Sequence, residues 1–271
     1  MHTLWITDAF TNTPLKGNPA GVCIFDEFPA DEWMQGVASD LGFSNSAFLK
    51  KLGHNHYQIR WFTPHSEAPL CGHASIASLH VLVEEGLVAK NSTITLESLS
   101  GQLTVTQSDN WYTLNFPLYP IQPRELTAQM RAVLNHEPVF TGFAHNILIM
   151  EFADEGVLYD LQPDLEALKK IDCRALAATA PGKEYDFLSR YFAPKVGINE
   201  DPVCASAHCR LIPYWSEKLG KQEMMAYQAS KRGGVLKCKN LGNRVLISGE
   251  AVTVFKGKIA DNQLSELKHV A

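Results

Sequence analysis

At 271 residues, with 45% hydrophobic and 20% charged residues, the chain is long enough for one large domain or two smaller ones with full cores. A formal net charge of −5, without any run of lysine and arginine, argues against a nucleic-acid partner, and no stretch approaches the roughly 18 apolar residues that cross a membrane. Residues 1–8 carry no charged segment followed by a long apolar one, so we expect no signal peptide, a cytoplasmic protein and cysteines that remain free thiols.

The first part of the chain alternates between strands and two helices. A helix is predicted over residues 30–41, where Trp33, Met34 and Val37 recur at helical spacing and Gly42 provides the end. A second helix, over residues 74–85, is apolar on almost every side, which is typical of a helix buried inside a curled sheet. Strands are predicted around these helices at residues 3–10, 21–25, 46–50, 57–62, 93–97, 102–107 and 111–116.

The proline-rich segment 117–123 is the best candidate for a linker, and beyond it the order of elements roughly recurs. Because strands outnumber helices and the hairpin turns imply antiparallel pairing, the predicted fold class is α+β. Helices are predicted in residues 125–134, 164–170 and 207–219, strands in residues 146–152, 175–180 and 187–192, and the last strands around turns at Gly233-Gly234 and Gly242-Asn243.

The most informative feature is an internal repeat. Residues 60–64, with the sequence RWFTP, lead through a loop to Cys71 and an apolar helix, and residues 190–194, RYFAP, lead to Cys204 and another helix. A repeat spaced at about half the chain length predicts two similar halves related by an approximate dyad. We place them at residues 1–117 and 118–271, with the final strand free to return to the first half.

The two cysteines stand where each copy begins its helix, so a dyad would point two helix N-termini at one shared cleft. Unpaired backbone N–H groups and the helix dipole lower a thiol pKa there, and the same groups bind a carboxylate. Cys71 and Cys204 could hold a small carboxylic acid with one thiol on each face of its α-carbon, and move a proton between the two faces. The other cysteines are predicted to be small buried hydrophobes, at positions 23, 173, 209 and 238.

Three polar residues near these cysteines have open roles. His73 is a ligand, an acid/base or a histidine satisfied by its loop. Asp201 is an active-site hydrogen-bonding group or a turn residue, and Ser206 is a helix cap or a substrate donor. A zinc site from positions 71, 73, 204, 208 and 209 is disfavoured, because C-x-H and C-x₃-H-C are not familiar structural-zinc spacings. A Gly-rich phosphate loop is absent from the sequence, so we expect neither a metal nor a cofactor.

Five motifs follow one another along nearly the whole chain: Asp8-Ala9-Phe10, Gly17-Asn18-Pro19-Ala20-Gly21-Val22, Phe62-Thr63-Pro64, Leu70-Cys71-Gly72-His73-Ala74 and Gly197-Ile198-Asn199-Glu200-Asp201-Pro202-Val203. Together they resemble the PhzF (phenazine biosynthesis-like) family. The resemblance implies a diaminopimelate epimerase-type fold of two pseudo-symmetric halves, each a curled, mostly antiparallel sheet around a central helix, with the active site between them. It also implies cofactor-independent isomerase chemistry by proton transfer, and a homodimer.

Two positions depart from the family pattern. Asn45 stands where the family has a catalytic glutamate, and an amide has no useful proton-transfer pKa. Cys204 stands where the family usually has threonine, which resembles the related diaminopimelate epimerases and proline racemases that use one cysteine from each half. We interpret the two changes as one exchange of catalytic machinery. The resemblance adds substrate-orienting roles for His73 and Asp201. The predicted catalytic set is Cys71, Cys204, His73 and Asp201, and the predicted substrate-binding set is Asn45, Gly72, Ala205, Ser206 and Asn18.

The leading hypothesis is an isomerase, either a racemase/epimerase or a proton-shifting enzyme, that acts α to the carboxylate of a small acid. One alternative is a dehydratase of a small hydroxy acid on the same scaffold. Another is a ligand-binding protein that lost its base with the glutamate. The pKa of the two thiols discriminates, because a lowered value supports catalysis and two inert buried thiols support binding alone.

Overall fold

The computed structural model describes residues 1–260. The first repeat contains the strands and helices up to the proline-rich segment. They are β1 (His2–Ala9), β2 (Asn18–Phe25), α1 (Asp31–Leu41), β3 (Asn45–Gly53), β4 (His56–Phe62), β5 (Glu67–Ala68), α2 (Gly72–Glu84), β6 (Thr93–Ser98), β7 (Gly101–Ser108) and β8 (Trp111–Pro117).

The second repeat follows with a similar order and two additional short helices. Its elements are β9 (Gln122–Pro123), α3 (Ala128–Arg131), β10 (Phe140–Ala144), β11 (Ile147–Glu151), α4 (Glu155–Asp160), α5 (Leu165–Leu168), β12 (Ala175–Pro181), β13 (Phe187–Phe192), a 3-10 turn (Pro194–Val196), α6 (Ala205–Leu219), β14 (Glu223–Gln228), β15 (Gly234–Asn240), β16 (Arg244–Gly249) and β17 (Ala251–Ile259).

Strand pairing repeats between the two parts of the chain. In the first repeat β1–β2 is antiparallel, β2–β3 parallel, β3–β4 antiparallel, β4–β6 parallel, and β6–β7–β8 antiparallel. The series from β10 through β16 follows the same alternation. An antiparallel β8–β16 pair joins the two series into one continuous sheet. The predicted α+β class with two pseudo-symmetric halves is confirmed.

The second repeat also lends a strand to the first. β9, which follows the last strand of the first repeat, pairs with β10, and β17, which follows the last strand of the second, pairs with β1 along its whole length. The first repeat is therefore completed by the end of the described chain. The last residues of the predicted C-terminal half, 261–271, lie outside the described residues.

The α2 helix is buried as its all-round apolar pattern predicts. It packs against strands of the first repeat and against β17, with Ile76, Leu79 and Leu82 fully buried. Its counterpart α6 packs on β15 and β16 through Leu211, Ile212 and other apolar residues. Among the helices of residues 1–260, none is both long and apolar enough to pass through a membrane.

The prediction was wrong in detail between residues 125 and 170. The helix expected over residues 125–134 is only the single turn α3, and the one expected over 164–170 is the single turn α5. A further helix, α4, was missed. Asp154 and Asp164 begin α4 and α5 by accepting hydrogen bonds from backbone N–H groups three residues later, which ends the preceding helix or loop at those points. Single-turn helices carry too few apolar positions for their period to be recognised in sequence.

Candidate active site

The site lies where the first residues of α2 and α6 meet. A methyl group at Gly72 would come within 2.8 Å of the Ala205 Cβ, which is closer than real side-chain atoms approach. Cys71 and Cys204 are the extended residues just before the two helices, and neither helix start is capped by a side chain. The structure therefore brings together two uncapped helix N-termini, each with a cysteine.

On the first repeat, Cys71 belongs to a chain of hydrogen bonds. Its Sγ lies 3.3 Å from Nδ1 of His73, whose Nε2 lies 3.3 Å from Oγ of Ser44. The Ser44 hydroxyl donates to Oδ1 of Asn18 at 3.2 Å. Sequence reasoning missed Ser44, although it directly precedes Asn45 in a segment that the motif comparison had already singled out.

Asn18 connects this chain to the second repeat. Its Nδ2 donates to Oδ1 of Asp201 at 2.6 Å and to the Val203 carbonyl at 3.0 Å. Asn18 is fully buried, so every polar atom of its amide is used within the protein. Gln228, also missed from the sequence, accepts from the Cys204 N–H at 2.8 Å and donates to the Asp201 carbonyl at 2.7 Å. No motif pointed to Gln228.

Cys204 has two polar neighbours of different kinds. Its Sγ is 3.3 Å from Oγ of the exposed Ser206, and its titratable neighbour is Asp201, whose charge raises the Cys204 pKa. The Cys204 carbonyl accepts from Nδ1 of the buried His208 at 2.9 Å. Arg210 donates to the Ser206 carbonyl, two residues further along the chain, at 2.7 Å.

The expectation that the helix N-termini lower the thiol pKa values was wrong. Burial raises the pKa of Cys71 far above its ordinary value and that of Cys204 to about 12. Backbone N–H groups at the helix starts do lower both values, but the loss of water outweighs them, and the Asp201 charge raises both. Both thiols are therefore protonated at neutral pH.

The two titratable partners respond to burial in opposite ways. Burial raises the pKa of Asp201 to about 6, although hydrogen bonds from Asn18, the Val203 backbone and Cys204 oppose the shift. Burial lowers the pKa of His73 to about 3. At neutral pH Asp201 is therefore ionised and His73 is uncharged, in a site where each is at most 8% exposed.

Asn45 begins β3 at the position of the expected glutamate. Its Oδ1 is buried and has no hydrogen-bond partner within the described chain. A buried acceptor without a partner is unfavourable, and a bound donor would satisfy it. Ser46, the next residue, has a buried hydroxyl that is likewise unpartnered in residues 1–260.

A cavity of about 290 Å³ opens beside the hydrogen-bond chain, with walls from both repeats. Asn18 and Ser44 line it from one side, and residues 196–200 line it from the other. Within residues 1–260, no group of three or more histidine, cysteine, aspartate or glutamate side chains is arranged to hold a metal ion.

Comparison with known proteins gives consistent matches. The family model described as phenazine biosynthesis-like protein matches residues 7–257. An uncharacterized isomerase of Halalkalibacterium halodurans is 43% identical over 259 residues, which cover 94% of this chain and 97% of that protein. The crystal structure of a PhzF-family protein of Enterococcus faecalis has a TM-score of 0.92 at 38% identity, and the match covers 96% of this chain and 99% of that one. A probable proline racemase of Agrobacterium radiobacter shares the fold at 12% identity, with a TM-score of 0.66 over 98% of this chain and 95% of its own.

Proposed function

The chain belongs to the phenazine biosynthesis-like (PhzF) family, as its motifs predicted, and we propose that it is a cofactor-independent isomerase acting α to the carboxylate of a small acid. Relatives named as isomerases support the reaction class. The observation that carries the proposal is that each thiol at the meeting helix starts has its own titratable partner, His73 for Cys71 and Asp201 for Cys204.

The Cys204–Asp201 pair is suited to be the base. Above the Asp201 pKa of about 6 the pair already carries one negative charge. Burial strongly opposes the creation of a new charge, but it opposes much less the movement of an existing charge between adjacent atoms. A proton passing from the Cys204 thiol to Asp201 gives a thiolate and a carboxylic acid with the same net charge. The resulting thiolate is the base that takes the substrate Cα proton.

The Cys71–His73 pair is suited to be the acid. Both groups are uncharged at neutral pH because burial disfavours the Cys71 thiolate and the His73 imidazolium. A thiol next to an uncharged imidazole can deliver its proton to the opposite face of the substrate carbon. The Ala74 and His73 backbone N–H groups then stabilise the sulfur that remains negative. In the reverse direction the two pairs exchange roles.

The substrate carboxylate would lie at the uncapped helix starts, where backbone N–H groups near Gly72, Ala205 and Ser206 favour an anion. The same groups stabilise the enediolate charge that develops when the Cα proton leaves. The orphaned Oδ1 of Asn45 would accept a hydrogen bond from a substrate donor. Asn18, whose amide is fully used by the protein, is assigned a positioning role instead of a substrate contact.

A ligand-binding protein without catalysis is the second candidate. The raised pKa values of both thiols favour it, as does an amide in place of the family glutamate. The binding site on the helix starts would be the same. The two candidates differ only in whether the substrate Cα proton is lost.

Incubation in D₂O with a panel of amino and hydroxy acids tests the proposal. We expect at least one acid to gain deuterium at Cα, as detected by mass spectrometry or proton NMR. In a racemase, the rate of deuterium incorporation matches the rate at which optical rotation is lost. A panel that binds, as shown by calorimetry, without any exchange at Cα would favour the binding protein. The dehydratase alternative would appear in the same spectra as loss of the substrate hydroxyl.

A further inference from the structure

We infer that Ser44 and Asn18 are positioning residues that hold His73 in one tautomer, with its proton on Nε2 and with Nδ1 unprotonated beside the Cys71 thiol. The inference deepens the proposed function, since it concerns the Cys71–His73 pair. It concerns a state of the resting protein, however, and can be measured without any substrate.

The argument begins at Asn18, because its amide orientation is fixed. Nδ2 lies against Oδ1 of Asp201 and the Val203 carbonyl, and both of these can only accept a hydrogen bond. The opposite end of the amide, Oδ1, is then the atom that faces Ser44. A flipped amide would bring an oxygen to 2.6 Å from a carboxylate oxygen.

Ser44 transmits that orientation to His73. The Ser44 hydroxyl has one proton, and it is given to Oδ1 of Asn18 at 3.2 Å. Ser44 can therefore only accept from Nε2 of His73, at 3.3 Å. Because the buried imidazole is uncharged, with a pKa near 3, a proton on Nε2 leaves Nδ1 as an acceptor 3.3 Å from the Cys71 sulfur. All donors in the chain then point from Cys71 toward the Asp201 carboxylate.

The chemical consequence is that the first repeat depends on the second. With Nδ1 unprotonated, His73 presents an acceptor 3.3 Å from the Cys71 sulfur, which also lies 3.9 Å from Nε2. With the opposite tautomer it would present a second donor to a protonated thiol. The Asp201 carboxylate, through Asn18 and Ser44, selects the form that can accept. The two thiol pairs are thus parts of one polar chain that crosses the interface between the repeats.

Nuclear magnetic resonance of isotope-labelled histidine tests the inference, since two-bond nitrogen–proton correlations distinguish the tautomers. We expect the Nε2–H form for His73 in the wild type, and a mixture or the Nδ1–H form in Ser44→Ala, where Nε2 loses its acceptor. Ser44→Thr keeps the hydroxyl and should restore the Nε2–H form. Asn18→Ala frees the Ser44 proton to be donated to Nε2, so it should also move His73 toward the Nδ1–H form.

Ser46→Ala is the matched control, because it removes a neighbouring buried hydroxyl that has no partner in the described part of the chain. It should leave the His73 tautomer unchanged. If Asn18→Ala fails to fold, the three serine variants decide the question. A wild type with the proton on Nδ1, or a Ser44→Ala variant that stays entirely in the Nε2–H form, would overturn the inference.

An activity measurement separates this inference from the proposed function. If the wild type exchanges the substrate Cα proton for deuterium, Ser44→Ala should slow that exchange by about tenfold or more. Ser44→Thr should restore the wild-type rate. An unchanged rate in Ser44→Ala would contradict the positioning role. If the wild type exchanges nothing, the proposed isomerase fails, whereas the tautomer measurement still decides the inference.

Discussion

The two repeats use the same three helix positions with two side chains exchanged. The first begins Cys71, His73, Ser75 and the second Cys204, Ser206, His208, each at alternate residues. The residue two positions after each cysteine faces its thiol, at 3.3 Å in both cases. The residue four positions after it donates to the cysteine carbonyl, from Ser75 at 2.6 Å and from His208 at 2.9 Å.

Under the proposed function, the exchange distinguishes the position assigned to chemistry from the position that holds the helix start. A hydroxyl and an imidazole N–H serve equally well to hold the cysteine carbonyl, so that position is structural. The position facing the thiol is different in kind, because His73 is buried and titratable whereas Ser206 is exposed. The second repeat instead obtains its titratable group from Asp201, in the loop before its helix.

The segments that lead to the two cysteines, by contrast, keep the same contacts in both repeats. Arg60 and Arg190 each make a two-pronged ion pair with a glutamate that precedes the cysteine of the same repeat, Glu67 and Glu200. Both guanidinium groups also lie over the ring of the phenylalanine two residues further on, at 5.1 and 4.9 Å. The repeats therefore differ at the thiols and agree in the loops that lead to them.

Replacing either thiol should have the largest effect. Cys71→Ser and Cys204→Ser should each lower Cα exchange by about 10²-fold or more, because serine is a far weaker base at neutral pH. Asn45→Ala should lower it much less. Deuterium incorporation at saturating substrate is the measurement, with Cys238→Ser as a control for a buried cysteine outside the site. Full activity in both serine variants, with none in Asn45→Ala, would remove the thiols from the mechanism.

Removing the charge of Asp201 should change how stability depends on pH. The folded pKa of about 6 lies above the ordinary 3.8, so this carboxyl favours the folded state below pH 3.8 and loses that contribution as pH rises through 6. Asp201→Asn should therefore gain stability relative to wild type across that interval, by up to about 3 kcal/mol, and then level off. Urea unfolding of both proteins at a series of pH values measures this difference in stability. His73 and His208 are present in both proteins, so their contributions to the pH dependence cancel in the comparison.

A parallel curve for the two proteins would contradict the raised pKa. The same substitution should abolish the acid limb of kcat/KM near pH 6, because the wild-type base pair loses its negative charge there. An acid limb that persists unchanged in Asp201→Asn would assign the base elsewhere.

Adding a methyl group where the repeats meet should separate the helix starts. Gly72→Ala should destabilise the protein by about 1–3 kcal/mol, since the new Cβ would overlap Ala205 and press on Leu114. Gly36→Ala is the matched control, because no atom lies within 4 Å of its new methyl group. It lies inside α1 and should stabilise the protein by up to about 1 kcal/mol. Equal urea midpoints for the two variants would show that the close approach is not real.

The smallest effect on activity is expected at Ser75, the residue four positions after Cys71. Ser75→Ala removes one buried hydrogen bond to the Cys71 carbonyl and should cost about 1 kcal/mol, with little change in exchange rate. His73→Ser, which places at the position facing the Cys71 thiol the residue that the second repeat has there, should lower stability, because it removes a buried imidazole and leaves Ser44 without that partner, and it should also strongly reduce exchange. An exchange rate that falls in Ser75→Ala but not in His73→Ser would undo the assignment of roles.

Much of this arrangement follows from local sequence. The spacing of the repeat and the all-apolar α2 are short-range features, and they correctly predicted two similar halves, a buried central helix and the meeting of the helix starts, while the epimerase-type fold was implied by the family motifs. Other features depend on residues far apart in the chain. Asn18 and Asp201 are 183 residues apart, and Gln228 carries no motif. The thiol pKa values could not be predicted, because they depend on how completely the fold excludes water from both sulfurs.

The pairing of β17 with β1 of the first repeat also sets the order in which this protein is able to fold during synthesis. β1 leaves the ribosome well before β17, one of its two neighbouring strands, which ends at Ile259. Until then the nascent first repeat presents an unpaired strand edge, although every residue around its central helix except those of β17 has been made. The repeats resemble independent units, but their assembly awaits the synthesis of β17, and such late long-range pairing is a slow step and a point of exposure to aggregation.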